Sequence, residues 1–296
     1  TRTVTLKAPR GEIVDRNGEP LVSNRVGFNI QLDRVYLDTE KQNDVILSLI
    51  NLMEQEGQEY NDSLPMAKTS PYTFDAQKSS AVDSLKDDLG LNLYATEQNV
   101  MDAMIEEYDI VGYSPDDTRK IAGVRYEMEK MDFSILNPFV FAEDVSFEIA
   151  TKIQENAIQY PGVDAVETPF RQYEMDDFAP HILGTVSPIY AEEYYPLEDG
   201  EEAPSSGYTD LRSQGYAMND SVGRSGIERA AEENLRGTDG KRTIHLDADG
   251  NVISTEEQPA VSGNTVMLSL EKNLQIKVQN LLADFIENTL KKRAYG

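Results

Sequence analysis

The 296-residue chain carries 27 Lys and Arg against 53 Asp and Glu, a net charge of −26, and 39% of its residues are apolar. That apolar share builds a substantial core in one large domain or two smaller ones, while the anionic field opposes nucleic-acid phosphates and anionic lipids. There is no cysteine and only two histidines, His181 and His245, which excludes disulfides, thiolate metal sites and a cysteine nucleophile and argues against a histidine-rich metal centre.

The first segment differs electrostatically from the rest. Residues 1–36 hold six bases (Arg2, Lys7, Arg10, Arg16, Arg25, Arg34) against four acids (Glu12, Asp15, Glu19, Asp33), so this stretch is +2 and the remainder −28. Within it, APRGEIVDRNGEPLVSN runs from Ala8 to Asn24. GEIVD and EPLVS alternate apolar with polar residues around Asn17-Gly18, predicting a hairpin with a type I′ turn. A basic start of this kind either faces an anionic membrane surface or pairs with acids elsewhere in the fold.

Next, VGFNIQLD predicts a third strand, and TEKQNDVILSLINLMEQEG places Ile46, Leu47, Leu49, Ile50 and Met53 at helical spacing. Residues 56–80 are polar and contain Pro65 and Pro71, predicting an exposed connection. TEQNVMDAMIEEY from Thr96 and PDDTRKIAGVRYEMEKM from Pro115 predict two helices, the second capped by Ser114 with proline at its first position. Together they make a helical insertion. PFVFA predicts a short strand, Asp144 a cap for DVSFEIATKIQENAIQY, and Pro161-Gly162 a stop before the strand VDAVETPFRQY. The acidic, turn-rich stretch 192–220 predicts a mobile surface loop with one short helix.

SGIERAAEENLRG predicts a compact helix ending at Gly237, KRTIHLDADGNVIST a second hairpin and NTVMLSL another strand. The last segment, EKNLQIKVQNLLADFIENTLKKR, is an amphipathic helix with Leu274, Val278, Leu281, Leu282 and Phe285 on one face. A stripe that wide is expected to be covered, by NTVMLSL or by a neighbouring chain. The elements describe an α+β chain without internal repeats. No apolar run approaches the roughly 20 residues of a membrane helix, and no signal-peptide pattern opens the chain, so a soluble molecule is expected. Freedom from cysteine suits the cytosol and a bacterial cell exterior alike.

Several fragments imitate chemical motifs. DADGN, from Asp247, begins like a calcium loop but has Val252 at the sixth position and Gln258 at the twelfth, so it is read as a hairpin turn. His181 and His245 lie 64 positions apart in apolar contexts and are read as structural. The acidic run at 198–202 is read as a solvated loop. Penicillin-interacting acyl-transfer enzymes use a serine three residues before a lysine, then Ser-x-Asn, then Lys-Thr-Gly. Here SLEK (Ser269–Lys272), SGN (Ser262–Asn264) and KTS (Lys68–Ser70) occur in reversed order. Ser269 ends an alternating strand rather than opening a buried helix, so the three are chance matches.

The framework around these fragments has a clear resemblance. RGEIVDRNG at Arg10–Gly18, YPGVDAVETPFRQY with HILG at 181–184, and GRSGIERAAEENLRGTDG at Gly223–Gly240 resemble, in order and spacing, the amino-terminal module of class B penicillin-binding proteins. VMLSLEKNLQ resembles the strand and helix that lead into their transpeptidase domain. Two departures stand out: Gln172-Tyr173-Glu174 replaces a frequent Tyr-Pro after the arginine, and Thr185 a usual aromatic or apolar residue.

The resemblance implies an elongated α+β pedestal with an N-terminal hairpin and strands, a helical head insertion at about 40–160 and a C-terminal hairpin plus helix. It implies a pedestal or dimerisation module over 1–261 and the start of a truncated transpeptidase domain over 262–296. A single membrane anchor would precede Thr1 and put the chain on the extracytoplasmic face of the bacterial membrane. The implied role is a non-catalytic scaffold of a peptidoglycan D,D-transpeptidase that contacts a membrane glycosyltransferase of the shape, elongation, division and sporulation family. Other implied partners are the missing transpeptidase domain and a second copy of the chain; no nucleic acid, cofactor, metal or catalytic residue is expected.

The resemblance also marks structural motif residues: Arg10, Gly11, Asp15, Arg16, Gly18, Arg171, His181, Gly184, Gly223, Gly226, Glu228, Leu235 and Gly237. Among them, Glu228 is expected to pair with at least one of Arg10, Arg16 and Arg171, since a planar guanidinium joins distant elements through a carboxylate. The competing classes are a carboxylate-pair hydrolase and a secreted cation-binding adhesin, but nothing sets two of the acids at a catalytic separation.

Overall fold

Strand β1 (Arg2–Leu6) leads into the predicted hairpin, β2 (Ile13–Val14) antiparallel to β3 (Pro20–Leu32), with Ile13 opposite Val22 and Val14 opposite Pro20. The turn differs from expectation. Gly18 takes φ +84° while Asn17 stays out of the left-handed region, so this is not a type I′ turn. Gly18 N donates to Asp15 O at 3.0 Å and Asp15 N to Glu19 O at 2.8 Å, the pattern of a three-residue loop with a left-handed glycine last. Asp15 supplies the reason: its Oδ1 accepts from Asn17 N at 2.7 Å and Glu19 N at 2.9 Å, closing the loop with its own carboxylate. Strand β3 is also single where two strands were predicted, because Ser23-Asn24-Arg25 contains no breaker.

The computed structural model describes residues 2–135, 137–175, 178–197, 203–246 and 252–294. Two compact units divide the chain: Thr1–Gly27 with Glu167–Ile189 and Asp220–Gly296, and Phe28–Val166 with Tyr190–Asn219.

In the second unit, α1 (Gln42–Glu56) buries Ile46, Leu49, Ile50 and Met53 at the predicted spacing, with Val45 added and Leu47 only partly buried, and ends at Gly57. Helix α2 (Ser79–Asp88) was not anticipated, because its inward residues Val82 and Leu85 are few in a polar window. The connection before it is only partly exposed. Leu64 and Met66 are buried, and their carbonyls accept from Arg119 Nη2 at 3.2 and 2.7 Å while Asp62 takes Nη1 at 2.9 Å. Helices α3 (Glu97–Glu107) and α4 (Pro115–Lys130) start as predicted, with Thr96 and Ser114 accepting from the backbone N–H of Asn99 and Asp117. Strand β4 (Phe139–Val145) contains Asp144 at φ +51°. The cap of α5 (Phe147–Glu155) is therefore not Asp144 but Ser146, whose extended backbone lets Oγ accept from Ile149 N. Strand β5 (Val163–Tyr173) follows Gly162 and pairs with β3, which also pairs with β4. The core gathers Leu49, Ile50, Met101, Ile121 and Phe141, all without exposure, each adding about 1.5–3 kcal/mol of burial.

Helix α6 (Pro180–Leu183) and strand β6 (Val186–Pro188) return to the first unit, and α7 (Ala191–Tyr194) is the short helix expected in the acidic stretch. That stretch is anchored rather than loose. Leu211 and Met218 are buried, and Leu211 N donates to Glu193 O at 3.0 Å. The acidic run at 198–202 lies outside the described residues. Strand β7 (Ser221–Gly223) pairs antiparallel with β6. The predicted single helix is two, α8 (Gly226–Ala230) and α9 (Glu232–Leu235), broken where Ala231 leaves helical geometry. Strands β8 (Gly240–Leu246) and β9 (Val252–Gln258) form the second hairpin, and β1 joins β8; its turn, DADGN, lies outside the described residues.

Strand β10 (Val266–Met267) is shorter than NTVMLSL and runs parallel to β2. Residues just before it are bonded into the first unit, Gly263 N to Pro9 O at 3.0 Å and Asn264 N to Asn234 O at 2.8 Å. Helix α10 (Lys272–Ala294) closes the described chain. Ile276 packs on the core of Ile13, Leu21, Val22, Phe178, Leu183 and Leu235. Leu274, Val278, Leu281, Leu282 and Phe285 stay 42–69% exposed, so β10 does not cover them: it ends too soon and its pairing edge is spent on β2. Among the described residues no helix is long and apolar enough to cross a membrane.

Candidate functional site: a buried arginine–carboxylate node

Four charged side chains meet inside the first unit. Glu228, on α8, is fully buried. Its Oε1 accepts from Arg171 Nε at 2.7 Å, and its Oε2 from Arg10 Nε at 3.2 Å and Nη2 at 3.0 Å. Arg10 also donates to Glu232, Nη1 to Oε1 at 3.1 Å and Nη2 to Oε2 at 2.9 Å, a two-pronged pairing that fits the planar guanidinium. Glu232 Oε2 accepts once more, from Gly223 N at 2.8 Å. Two cations and two anions balance, as burial demands.

Backbone contacts extend the node. Arg171 Nη1 donates to Gly11 O at 2.8 Å, Asn24 Nδ2 to Arg10 O at 2.7 Å, and Gly11 N to Leu235 O at 2.8 Å. The start of the chain, β5 and the α8–α9 segment thereby share one set of bonds, although up to 222 positions separate the partners. Burial opposes the charge of Arg10, but Glu232 and then Glu228 outweigh it and its pKa rises. For Arg171 burial prevails over Glu228, with Arg10 adding to the lowering. Both remain cations at neutral pH. Both oxygens of each carboxylate are taken by arginine or backbone donors.

Glycine makes the close approach possible. A Cβ on Gly11 would lie 1.9 Å from Asn264 O. On Gly184, at φ +83°, it would lie 1.9 Å from Ser225 O, a conformation and a contact that only glycine tolerates. Gly226 faces Gly184 from the other side, Gly223 ends β7 beside Glu228, and Gly237 abuts Ala8 and Val261. Leu235 is wholly buried in the same core.

Asp15 forms a second centre at the hairpin turn, with Gly18 completing the loop. Its Oδ2 accepts from Lys272 N at 3.0 Å, and Arg16 N donates to Leu270 O at 2.8 Å, fastening the root of α10. These bonds, the one from Lys272 N first, hold the Asp15 carboxyl below its usual pKa against the opposing effect of burial. The Arg16 side chain is exposed and takes no place beside Glu228. His181, on α6, is exposed rather than packed, while His245 is half-buried on β8 with Nε2 3.9 Å from Glu256. Ser269 lies in an exposed bend, and Lys272 Nζ donates to Pro20 O at 3.1 Å rather than towards it. Among the described residues no three His, Asp or Glu gather as a metal set.

Sequence reasoning missed Glu232 and Asn24. Glu232 had a signal, four positions after Glu228 on the same helical stretch. Asn24 had none, since its place follows from the path of β3.

A family model described as the penicillin-binding protein dimerisation domain matches residues 5–268. Penicillin-binding protein 2A of Bacillus subtilis (strain 168) is 25% identical over 94% of this chain and 38% of its own length. Peptidoglycan D,D-transpeptidase MrdA of Salmonella typhimurium (strain SL1344) is 27% identical over 62% of this chain and 27% of its own. The chain thus spans well under half the length of these relatives. Among solved structures, penicillin-binding protein 2B of Streptococcus pneumoniae (strain 5204) matches with a TM-score of 0.55 and 20% identity, covering 98% of this chain and 44% of that one.

Proposed function

The chain belongs to the penicillin-binding protein dimerisation-domain family, and from that premise we propose that it is the non-catalytic scaffold of a bacterial cell-wall D,D-transpeptidase. In this role it positions the catalytic domain on the extracytoplasmic side of the membrane, behind a single N-terminal anchor, and contacts a membrane glycosyltransferase of the shape, elongation, division and sporulation family. Residues 1–261 form the module, and the transpeptidase domain starts from about 262.

One observation supports this most: the node of Arg10, Arg171, Glu228 and Glu232 binds the beginning of the chain into the same unit whose Asp15 fastens α10. Buried, fully paired contacts of this kind make the unit a rigid support rather than a reacting centre. The exposed apolar face of α10 offers the surface on which a following domain would seat.

Two experiments test the parts separately. Size-exclusion chromatography of the chain with a purified glycosyltransferase of that family, in detergent, is expected to give a complex, and its absence would remove the partner from the proposal. Mass spectrometry after incubation with labelled penicillin is expected to find no adduct. Stoichiometric acylation of Ser269 would refute the non-catalytic role.

A further inference from the structure

The second unit contains a cavity of about 520 Å³, within the volume range of ligand sites. Its walls come from the loop before α2 (Pro71, Tyr72), from α3 (Glu97, Ile105) and from the entry to α4 (Tyr113, Pro115). Both tyrosine hydroxyls are already donating, Tyr72 to Pro115 O and Tyr113 to Asp44 Oδ1, each at 2.6 Å. The rings are therefore fixed, and they present carbon surface rather than spare O–H groups.

The charge around this cavity is one-sided. Glu97 is the charged residue on its walls, while Asp44 holds Tyr113 and Asp116 accepts from Ser70 N at 2.8 Å. A few carboxylates elsewhere in the unit have cations, Glu54 with Lys120, Glu56 with Lys152 and Asp62 with Arg119. Among the described residues Glu97, Asp44 and Asp116 have none. Burial and then Asp44 push the Tyr113 hydroxyl up to about 12. Burial and Asp116 raise Tyr72 as well, Arg119 only partly opposing. Burial disfavours any charge there, whereas the part of the effect that comes from Asp44 and Asp116 favours a cation. The whole unit holds 34 Asp and Glu against 11 Lys and Arg, a net −23, which steers basic segments toward it.

We propose that this cavity is a docking point for a basic segment of a protein partner and receives the side chain of an arginine. The stem would lie along Ile105 and the prolines, and the guanidinium would meet the tyrosine rings and Glu97. Arginine fits better than lysine because its planar, weakly hydrated head stacks on aromatic carbon while pairing with a carboxylate. The proposal is independent of the scaffold role.

The test is an NMR titration of the full chain with the capped pentapeptide Gly-Pro-Arg-Leu-Gly and with the same peptide carrying citrulline, which keeps the shape and removes the charge. Saturable shifts confined to the amides around Tyr72, Glu97, Tyr113 and Thr118 are expected. Citrulline, and separately Glu97→Gln, should weaken binding by about tenfold, the size of one charge-assisted hydrogen bond. Glu155→Gln, an exposed residue at the end of α5, should leave it unchanged. Equal binding of the citrulline peptide, an equal loss with Glu155→Gln, shifts scattered over the acidic surface, or no saturable shift would each overturn the proposal. If Glu97→Gln does not fold, the arginine–citrulline comparison on the unaltered chain decides alone.

Discussion

The two units hold themselves together by different means. The first carries 19 acids and 16 bases, a net −3, and its apolar core is small, centred on Ile13, Val22, Phe178 and Leu235. Its segments come from three distant parts of the chain, and directional polar contacts join them: the arginine node, the Asp15 loop, and Lys7 paired with Asp220 and Asp239. The second unit is built on continuous helices around a much larger apolar core, and its net −23 sits mainly on the surface. Where apolar side chains are plentiful, a surface can accumulate like charge; where they are few, each charge must be matched and placed.

Four measurements sharpen or break this contrast, in descending size of effect. Glu228→Ala leaves Arg10 and Arg171 buried without their shared carboxylate and should cost about 3–5 kcal/mol in denaturant unfolding. Melting with the parent would mean that the node is not what secures the first unit. Leu49→Ala should cost about 2–5 kcal/mol through the cavity it leaves. Its effect on hydrogen exchange should be confined to the second unit, and loss of protection around Arg10 would contradict the division.

Ser114→Ala removes the cap of α4 and should cost about 1 kcal/mol, read as faster exchange in the first turn of that helix. The smallest signal is in pH. The pKa of Asp15 is depressed on folding, so its contribution is present above the unfolded value, about 3.9, and is lost as pH falls through the folded one. Lys7 behaves oppositely: burial works against its charge, but Asp220 and Asp239 outweigh it and raise its pKa. Its contribution is full below about 10.4 and fades as pH rises through the folded value. Exchange at the root of α10 should therefore quicken first in acid. Acid-insensitive exchange there would deny Asp15 its role.

Much of this was written locally. The spacing of Ile46, Leu49, Ile50 and Met53 specified α1, and Thr96, Ser114 and Pro115 marked helix starts, because capping and periodicity act within a few residues. Charge chemistry made the pairing of Glu228 with arginine foreseeable, and the quoted motifs carried the family resemblance. The misses share a cause. Asp15 rather than the Asn17-Gly18 preference shaped the hairpin turn, and Arg119 drew Leu64 and Met66 inward from a polar stretch. Leu211 and Met218 anchored a segment whose composition reads as loose loop.

The sequence by itself therefore determined most of the element types, the charge imbalance and which residues were suited to pair, since these follow from neighbouring side chains. Only the tertiary structure decided that Arg10 and Arg171 share Glu228 while Arg16 stays in solvent, that Glu232 and Asn24 complete the node, and that β10 does not cover the stripe on α10. A partner hundreds of positions away leaves no local trace, because its contribution depends on where the folded backbone brings each donor and acceptor.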